Sequence, residues 1–168
     1  MGQALEQLQA RLARLEGEAA VRRLMARYMD LCDVPRDSLA LQTELAGLFA
    51  EDAVWEGLGA RAGQSFGRHE GRAAVAAFVA GYLPPAEHFA LNLHFLGSES
   101  IEVGESGDTA RGQWLMQQLS TYVDGRSELF GTRLNLDFRR VGEAWQITHF
   151  RTRRLLAMPL GALAEGEA

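Results

Sequence analysis

Apolar positions in the first part of the chain recur on a helical period. Leu5, Leu8, Leu12 and Leu15 are spaced by three and four residues, and beyond Gly17 the pattern resumes through Val21, Leu24, Met25, Tyr28 and Leu31. This predicts a helix with a bend or joint at Gly17, ended by Pro35, which biases Val34 away from the α region. With Gln and Arg between its leucines, the first stretch is too polar for a core helix and is expected to lie across a neighbouring subunit or its own domain. Ser38 is a candidate N-cap for a second helix over residues 39–49, with Leu41, Leu45, Leu48 and Phe49 on its apolar face. The chain then turns into a short strand ending near Glu56. Residues 57–70 contain four glycines without periodicity and read as a loop. A third helix is predicted from Gly71 to Tyr82, with Val75, Phe78 and Val79 inward, stopped by Gly81 and Pro84-Pro85.

After Pro85 the period changes from 3.6 to 2. Strands are predicted over 88–95, 98–103, 109–123, 128–140 and 145–155, with turns at Gly104–Asp108, Asp124-Gly125-Arg126 and Gly142-Glu143-Ala144. The Gly/Ala/Glu-rich segment 159–168 reads as a frayed tail. Helices followed by a meander give an α+β fold, a single domain over 1–158 with three helices packed on one face of a curved antiparallel or mixed sheet.

Composition narrows the chemistry. All 17 basic residues among the 168 are arginine, so Schiff-base catalysis, a pyridoxal-phosphate anchor and a P-loop lysine are excluded. A net charge of -5 gives no general basis for binding nucleic acid. No apolar run approaches the ~20 residues that span a bilayer. Gln3, Glu6, Gln7 and Gln9 interrupt any secretory h-region. The expectation is a cytoplasmic protein without a membrane partner. Cys32 is the single cysteine, which leaves no intrachain disulfide and no multi-thiolate metal site; it reads as a helix-packing thiol.

Candidate chemistry gathers on the strand from His88 to Phe95. Alternation places His88, Ala90, Asn92 and His94 on one face, two imidazoles and an amide, as expected for a polar-lined cavity wall or for an ordinary solvent face. His88 and His94 would lie ~20 Å apart, too far to share one metal ion. Tyr28 and Asp33 differ by ~140° on an ideal helix, so joint use requires the helix to open near Cys32 or the two to flank a wide pocket. Trp55, Phe66, Phe78, Phe89, Trp114 and Phe130 are candidate apolar walls or core. His149 is expected on a face with Trp145 and Ile147, in a packing or interface role, and His69 in a solvated loop. Arg151, Arg153 and Arg154 read as a ligand-carboxylate site or as an edge or subunit contact.

Several local strings resemble SnoaL-like members of the NTF2-like superfamily. They are Val21 to Tyr28, Leu48 to Trp55, Gly67 to Arg72, His88 to Asn92, Thr109 to Trp114, Phe138 to Arg140 and Trp145 to His149. The resemblance implies the NTF2-like (cystatin-like) cone enclosing a hydrophobic pocket. Within the superfamily the chain is similar to cofactor-independent dehydratases, the bile acid 7α-dehydratase and scytalone dehydratase families. The implied catalytic residues are His88 as base and acid, Asp33 as its orienter and Tyr28 as hydrogen-bond donor. The resemblance implies Asn135 as a substrate contact; Asn92, from the strand face, and Trp55, Phe66 and Trp114, from the aromatic walls, are the other candidate substrate contacts.

Such a site performs dehydration, isomerisation or cyclisation of a polycyclic or aromatic hydroxy-ketone by acid/base chemistry, with no cofactor and no metal. Its ligand is steroid-like, polyketide-like or aromatic. The alternative is a non-catalytic ligand-binding protein, or a partner like the small subunit of a ring-hydroxylating dioxygenase. A homo-oligomer, dimer or trimer, is expected from the resemblance.

Overall fold

A computed structural model describes residues 2–35, 41–59 and 66–161. The candidate cap Ser38 lies outside the described residues, as do residues 60–65 of the glycine-rich loop and 162–168 of the tail. The elements are α1 (Gly2–Cys32), α2 (Leu41–Gly47), β1 (Phe49–Leu58), β2 (Arg68–Glu70), α3 (Arg72–Ala80), β3 (Phe89–Val103), β4 (Thr109–Tyr122), β5 (Ser127–Val141) and β6 (Ala144–Leu160). They form one six-stranded mixed sheet, curved but unclosed, in the order β2-β1-β6-β5-β4-β3. The meander β3 to β6 is antiparallel, while β1 joins β6 in parallel. This is the NTF2-like, cystatin-like architecture. No helix among the described residues is long and apolar enough to cross a membrane.

α1 is unbroken at Gly17, which corrects the expected joint. Gly17 is the point where the helix meets the sheet: a Cβ there would lie 3.2 Å from Val103 Cγ2 and 3.4 Å from the Trp145 ring. From this residue on, one face is buried, through Val21, Met25, Tyr28 and Met29. Residues 2–16 are all exposed, with Leu5, Leu8, Leu12 and Leu15 each more than half accessible. The first turns therefore do not cover their own domain. Replacing Gly17 by leucine should push α1 off the sheet at a cost of about 1–3 kcal/mol, measurable as a fall in thermal midpoint of about 2–4 °C per kcal/mol.

The two predicted strands 88–95 and 98–103 are one strand, β3. A register irregularity between Gly97 and Ser100, with Ser98 at φ 48°, bends this strand without ending it, because a bulge adds local twist while pairing continues on either side. Glu99, at this bend, accepts the Trp114 indole N–H at 3.2 Å and pairs with Arg22 of α1 at 2.6 Å. β6 runs through Pro159 and Leu160, paired with Glu128 and Ser127, where a frayed tail was expected. The end of the glycine-rich loop forms β2 against β1, pairing Trp55 with His69.

Candidate functional site

α1 ends at Cys32, and the Asp33 N–H makes the last helical bond, to the Met29 carbonyl at 3.0 Å. The next residue leaves the helix. Val34, extended before Pro35, exchanges two backbone hydrogen bonds with Asn92 of β3, 2.9 and 3.0 Å long. This bridge lays Asp33 beside β3. Asp33 Oδ1 accepts the His94 backbone N–H at 3.0 Å and contacts His94 Nδ1 at 2.8 Å. The His94 side chain is 9% exposed, and its Nε2 makes no hydrogen bond among the described residues.

The carboxylate thus pairs with His94, not with His88. A register irregularity between Phe89 and Leu91 takes Ala90 out of the ladder and into solvent, so strict alternation fails between His88 and His94. The His88 ring makes edge contacts with Tyr82, Phe89 and Tyr122 at centroid distances of 5.1, 4.3 and 5.5 Å.

His94 and His88 line the same cavity, of about 170 Å³. Its deeper wall is Tyr28, Cys32, Trp55, Met116, Leu134 and Phe150, all buried. Half-buried Phe66, Phe78, Tyr82, His88, Tyr122 and Arg154 mark the end nearer solvent. Trp55 stacks on Phe150 at 5.3 Å and 7° and packs against Phe78 at 4.9 Å. Its indole N–H donates to the Tyr28 hydroxyl at 3.2 Å. Burial, followed by the charge of Cys32 and a hydrogen bond with it, raises the Tyr28 pKa well above its ordinary value, against the opposing effect of the Trp55 bond. Tyr28 is therefore a neutral hydroxyl on the cavity wall, and the thiol of Cys32 is its neighbour.

Asn92 lines the cavity with its side chain tied on both sides: Oδ1 accepts from Gln118 at 2.9 Å and Ser120 at 2.7 Å, and Nδ2 donates to the Cys32 carbonyl at 3.4 Å. It frames the site. Gln118 on β4 reaches the cavity, on the same face as Met116 and Trp114, two and four residues before it.

Trp114 and Asn135 lie elsewhere. Trp114 is buried between sheet and helix on Glu99, and Asn135 accepts from Gln113 at 3.1 Å in a separate shallow polar pocket. Asn135 is on the sheet's other face because its neighbours Leu134 and Leu136 point into the core.

The remaining histidines differ from expectation. His69 is half-buried in β2, its ring stacked 3.8 Å from that of Phe78 and its Nε2 2.8 Å from the Phe66 carbonyl. His149 does not share a face with Ile147: Asp137 pairs with His149 and Phe138 with Ile147, so Thr148 is an extra residue that switches faces. There Nε2 contacts Glu56 at 2.6 Å and Nδ1 takes an Arg151 N–H at 2.7 Å. Burial favours the neutral acid of Glu56, but hydrogen bonds from His149 and Arg68 outweigh it and lower the pKa.

Tyr122 donates to Glu128 at 2.8 Å. Burial first, then that bond and the carboxylate's charge, push its pKa up to about 12, with Arg154 and Arg126 opposing. An unfolded tyrosine ionises near pH 10. The fold's preference for the neutral phenol therefore costs nothing below that pH, and stability is lost as pH rises from about 10 to about 12. An alkaline absorbance titration should show a late tyrosinate step that Tyr122→Phe removes.

Among the described residues no group of three or more His, Cys, Asp and Glu is placed to hold a metal ion. The arrangement that can act chemically is a carboxylate–imidazole pair facing an aromatic cavity with a neutral tyrosine.

The sequence matches the family described as SnoaL-like domain over residues 13–151. No curated protein matches it at a significant level. Similar solved structures include hexachlorocyclohexane dehydrochlorinase LinA-type3 from Novosphingobium barchaimii, with a TM-score of 0.74 and 20% identity over 94% of this chain and 99% of that one. A candidate scytalone dehydratase from Novosphingobium aromaticivorans has a TM-score of 0.71 and 20% identity over 92% and 96%. An NTF2-like protein with a cystatin-like fold from the same species has a TM-score of 0.68 and 26% identity over 98% and 92%.

Proposed function

Because the chain belongs to the SnoaL-like domain family, whose members include dehydratases, dehydrochlorinases and cyclases, we propose that it is a cofactor-independent lyase or isomerase acting on an aromatic or polycyclic hydroxy-ketone. The observation that carries this reading is the 2.8 Å contact between Asp33 Oδ1 and His94 Nδ1 at the wall of the cavity.

Asp33, held by the His94 backbone N–H as well, fixes the imidazole with its proton on Nδ1 and makes Nε2 the acceptor. Nε2 takes the proton α to the substrate carbonyl, the resulting electron pair forms the new double bond, and the C–O bond to the leaving hydroxyl breaks. The imidazolium then returns its proton to the departing hydroxide, which leaves as water. Tyr28, neutral in its buried setting, donates to the carbonyl oxygen as charge develops there. His88 binds at the solvent end. The aromatic walls exclude water and strengthen each of these bonds.

The test is turnover of hydroxy-steroid and hydroxy-naphthalenone ketones followed by loss of substrate absorbance. Dehydrated product formed by the wild type but not by a folded His94→Asn variant is the expected outcome. Equal turnover by the two would refute the mechanism, and absence of turnover by the wild type would return the protein to the ligand-binding reading.

A homo-oligomer accompanies this function. Leu5, Leu8, Leu12 and Leu15 follow the a and d positions of two heptads and are exposed on an arm of about 22 Å. Arg11 and Glu16 then occupy g and the following e, the pair that meets across two parallel helices. The occupant is a second copy of this chain. Leu8→Glu with Leu12→Glu should halve the mass of a dimer in sedimentation while leaving the circular dichroism of the domain intact; an unchanged mass would refute it.

A further inference from the structure

Alternation along β6 separates the three arginines at its end. Phe150, Thr152 and Arg154 face the cavity, while Arg151 and Arg153 face the opposite side. Arg151 is occupied there, 2.8 Å from Asp137 Oδ2 and bonded to His149. Arg153 is solvated. Arg154 is in a different position. Its guanidinium carbon sits 4.2 Å above the Phe130 ring and 5.6 Å from that of Phe66, with no carboxylate within ion-pairing distance among the described residues.

No Asp or Glu lines the cavity among the described residues, so Arg154 is its one permanently charged wall group. Removing a cation from water is costly unless it is paired, and two aromatic faces recover part of that cost. They leave the in-plane N–H donors, which suit a planar carboxylate in two-point contact, without a partner among the described residues.

We propose that the ligand of this cavity carries a carboxylate and that Arg154 binds it, between the rings of Phe66 and Phe130. The inference rests on the cavity being the substrate site of the proposed reaction, and it narrows that substrate to a hydroxy-ketone bearing an anionic group. The carboxylate docks at the solvent end and directs the apolar body of the ligand inward, towards Trp55 and Phe150. Arg154 is in this role a binding and specificity residue, apart from proton transfer by His94.

The volume, about 170 Å³, is near that of an engineered apolar cavity of about 150 Å³ that takes benzene, so single-ring probes are appropriate. Benzoate and benzamide share size and shape and differ in charge. Quenching of Trp55 fluorescence, titrated into the millimolar range, should give a benzoate affinity at least about 10-fold above that of benzamide, the factor expected of a charge-assisted bond. Arg154→Met should lower benzoate affinity to the benzamide level while benzamide binding is kept. Arg154→Lys should recover part of the preference, which guards against loss through misfolding. Equal binding of the two probes to the wild type, no saturable benzoate binding, or a preference that survives in Arg154→Met would each overturn the inference. The measurement involves no turnover, so it separates the two claims. Loss of the preference with a His94-dependent reaction intact sinks the carboxylate subsite alone. A preserved preference without His94-dependent turnover sinks the reaction alone.

Discussion

His94→Asn should lower kcat by about 10²- to 10⁴-fold, the range over which a positioned general base contributes. Asparagine can still donate to Asp33 Oδ1 and is close to histidine in bulk, so the 2.8 Å contact and the bridge beneath it have a substitute. What is lost is an acceptor of adequate basicity at the Nε2 position. The loss should fall on kcat, with KM little changed, because the interaction is made with a proton in flight. Asp33→Asn should act in the same direction, since an amide nitrogen facing Nδ1 favours the tautomer whose proton is on Nε2, the wrong one for a base. His88→Ala distinguishes the two imidazoles: its ring touches Tyr82, Phe89 and Tyr122 and, among the described residues, no carboxylate, so KM should rise while kcat falls much less than in His94→Asn. Steady-state kinetics on the three variants decides between them. A His88→Ala defect confined to kcat and larger than that of His94→Asn would reverse the assignment.

The second large effect is on stability. Gly112, in β4, lies against the Trp114 ring, and a Cβ at this position would overlap that ring and stand 3.1 Å from Phe138 Cε2. Trp114 has little freedom to yield. It is 1% exposed and its indole N–H is tied to Glu99, which in turn holds Arg22 of α1. Gly112→Val should cost about 3 kcal/mol or more, at the upper end for overpacking. The midpoint of urea unfolding should fall at an unchanged slope. A shift below about 0.5 kcal/mol, the range of ordinary surface changes, would mean that the indole relocates freely and does not anchor the helix.

Much of the fold is legible in the sequence because burial in this protein follows simple periods. Val21, Met25 and Tyr28 repeat on the helix, and Gly112, Trp114 and Met116 alternate on β4. Misreadings coincide with places where a residue is added to a ladder. The irregularity at Ala90 takes that residue off the wall it was expected to share with His88, Asn92 and His94; Thr148 inverts His149; the bend at Ser98 joins two predicted strands. A one-residue slip reverses every later side chain, and period counting carries no signal for it. Gly17 misleads in another way: glycine in a helix reads as a break, whereas here the missing Cβ admits Val103 and Trp145.

For the site, the residue types were readable and their pairing was not. His94 emerges from the alternation of its strand and Asp33 from the resemblance, but their contact spans 61 positions and depends on Val34 meeting Asn92, a bridge with no local signature. Asn135 and Trp114 entered as site candidates through resemblance or aromatic type, and their faces direct them elsewhere. Arg154 is separable from Arg151 and Arg153 only once β6 has a known inner side.

The bridge between Val34 and Asn92 has a kinetic consequence. Its two hydrogen bonds are the sole backbone bonds joining the exit of α1 to β3 among the described residues, and they flank both partners of the dyad, one residue from Asp33 and two from His94. An event that separates the carboxylate from the imidazole by moving the chain must expose these two amides to solvent. Their deuterium uptake therefore acts as a clock for assembly of the site. Uptake as slow as in central β5 would mean that Asp33 and His94 part only when the whole domain unfolds; faster uptake at Val34 and Asn92 alone would reveal a resting ensemble in which the base is intermittently without its orienter.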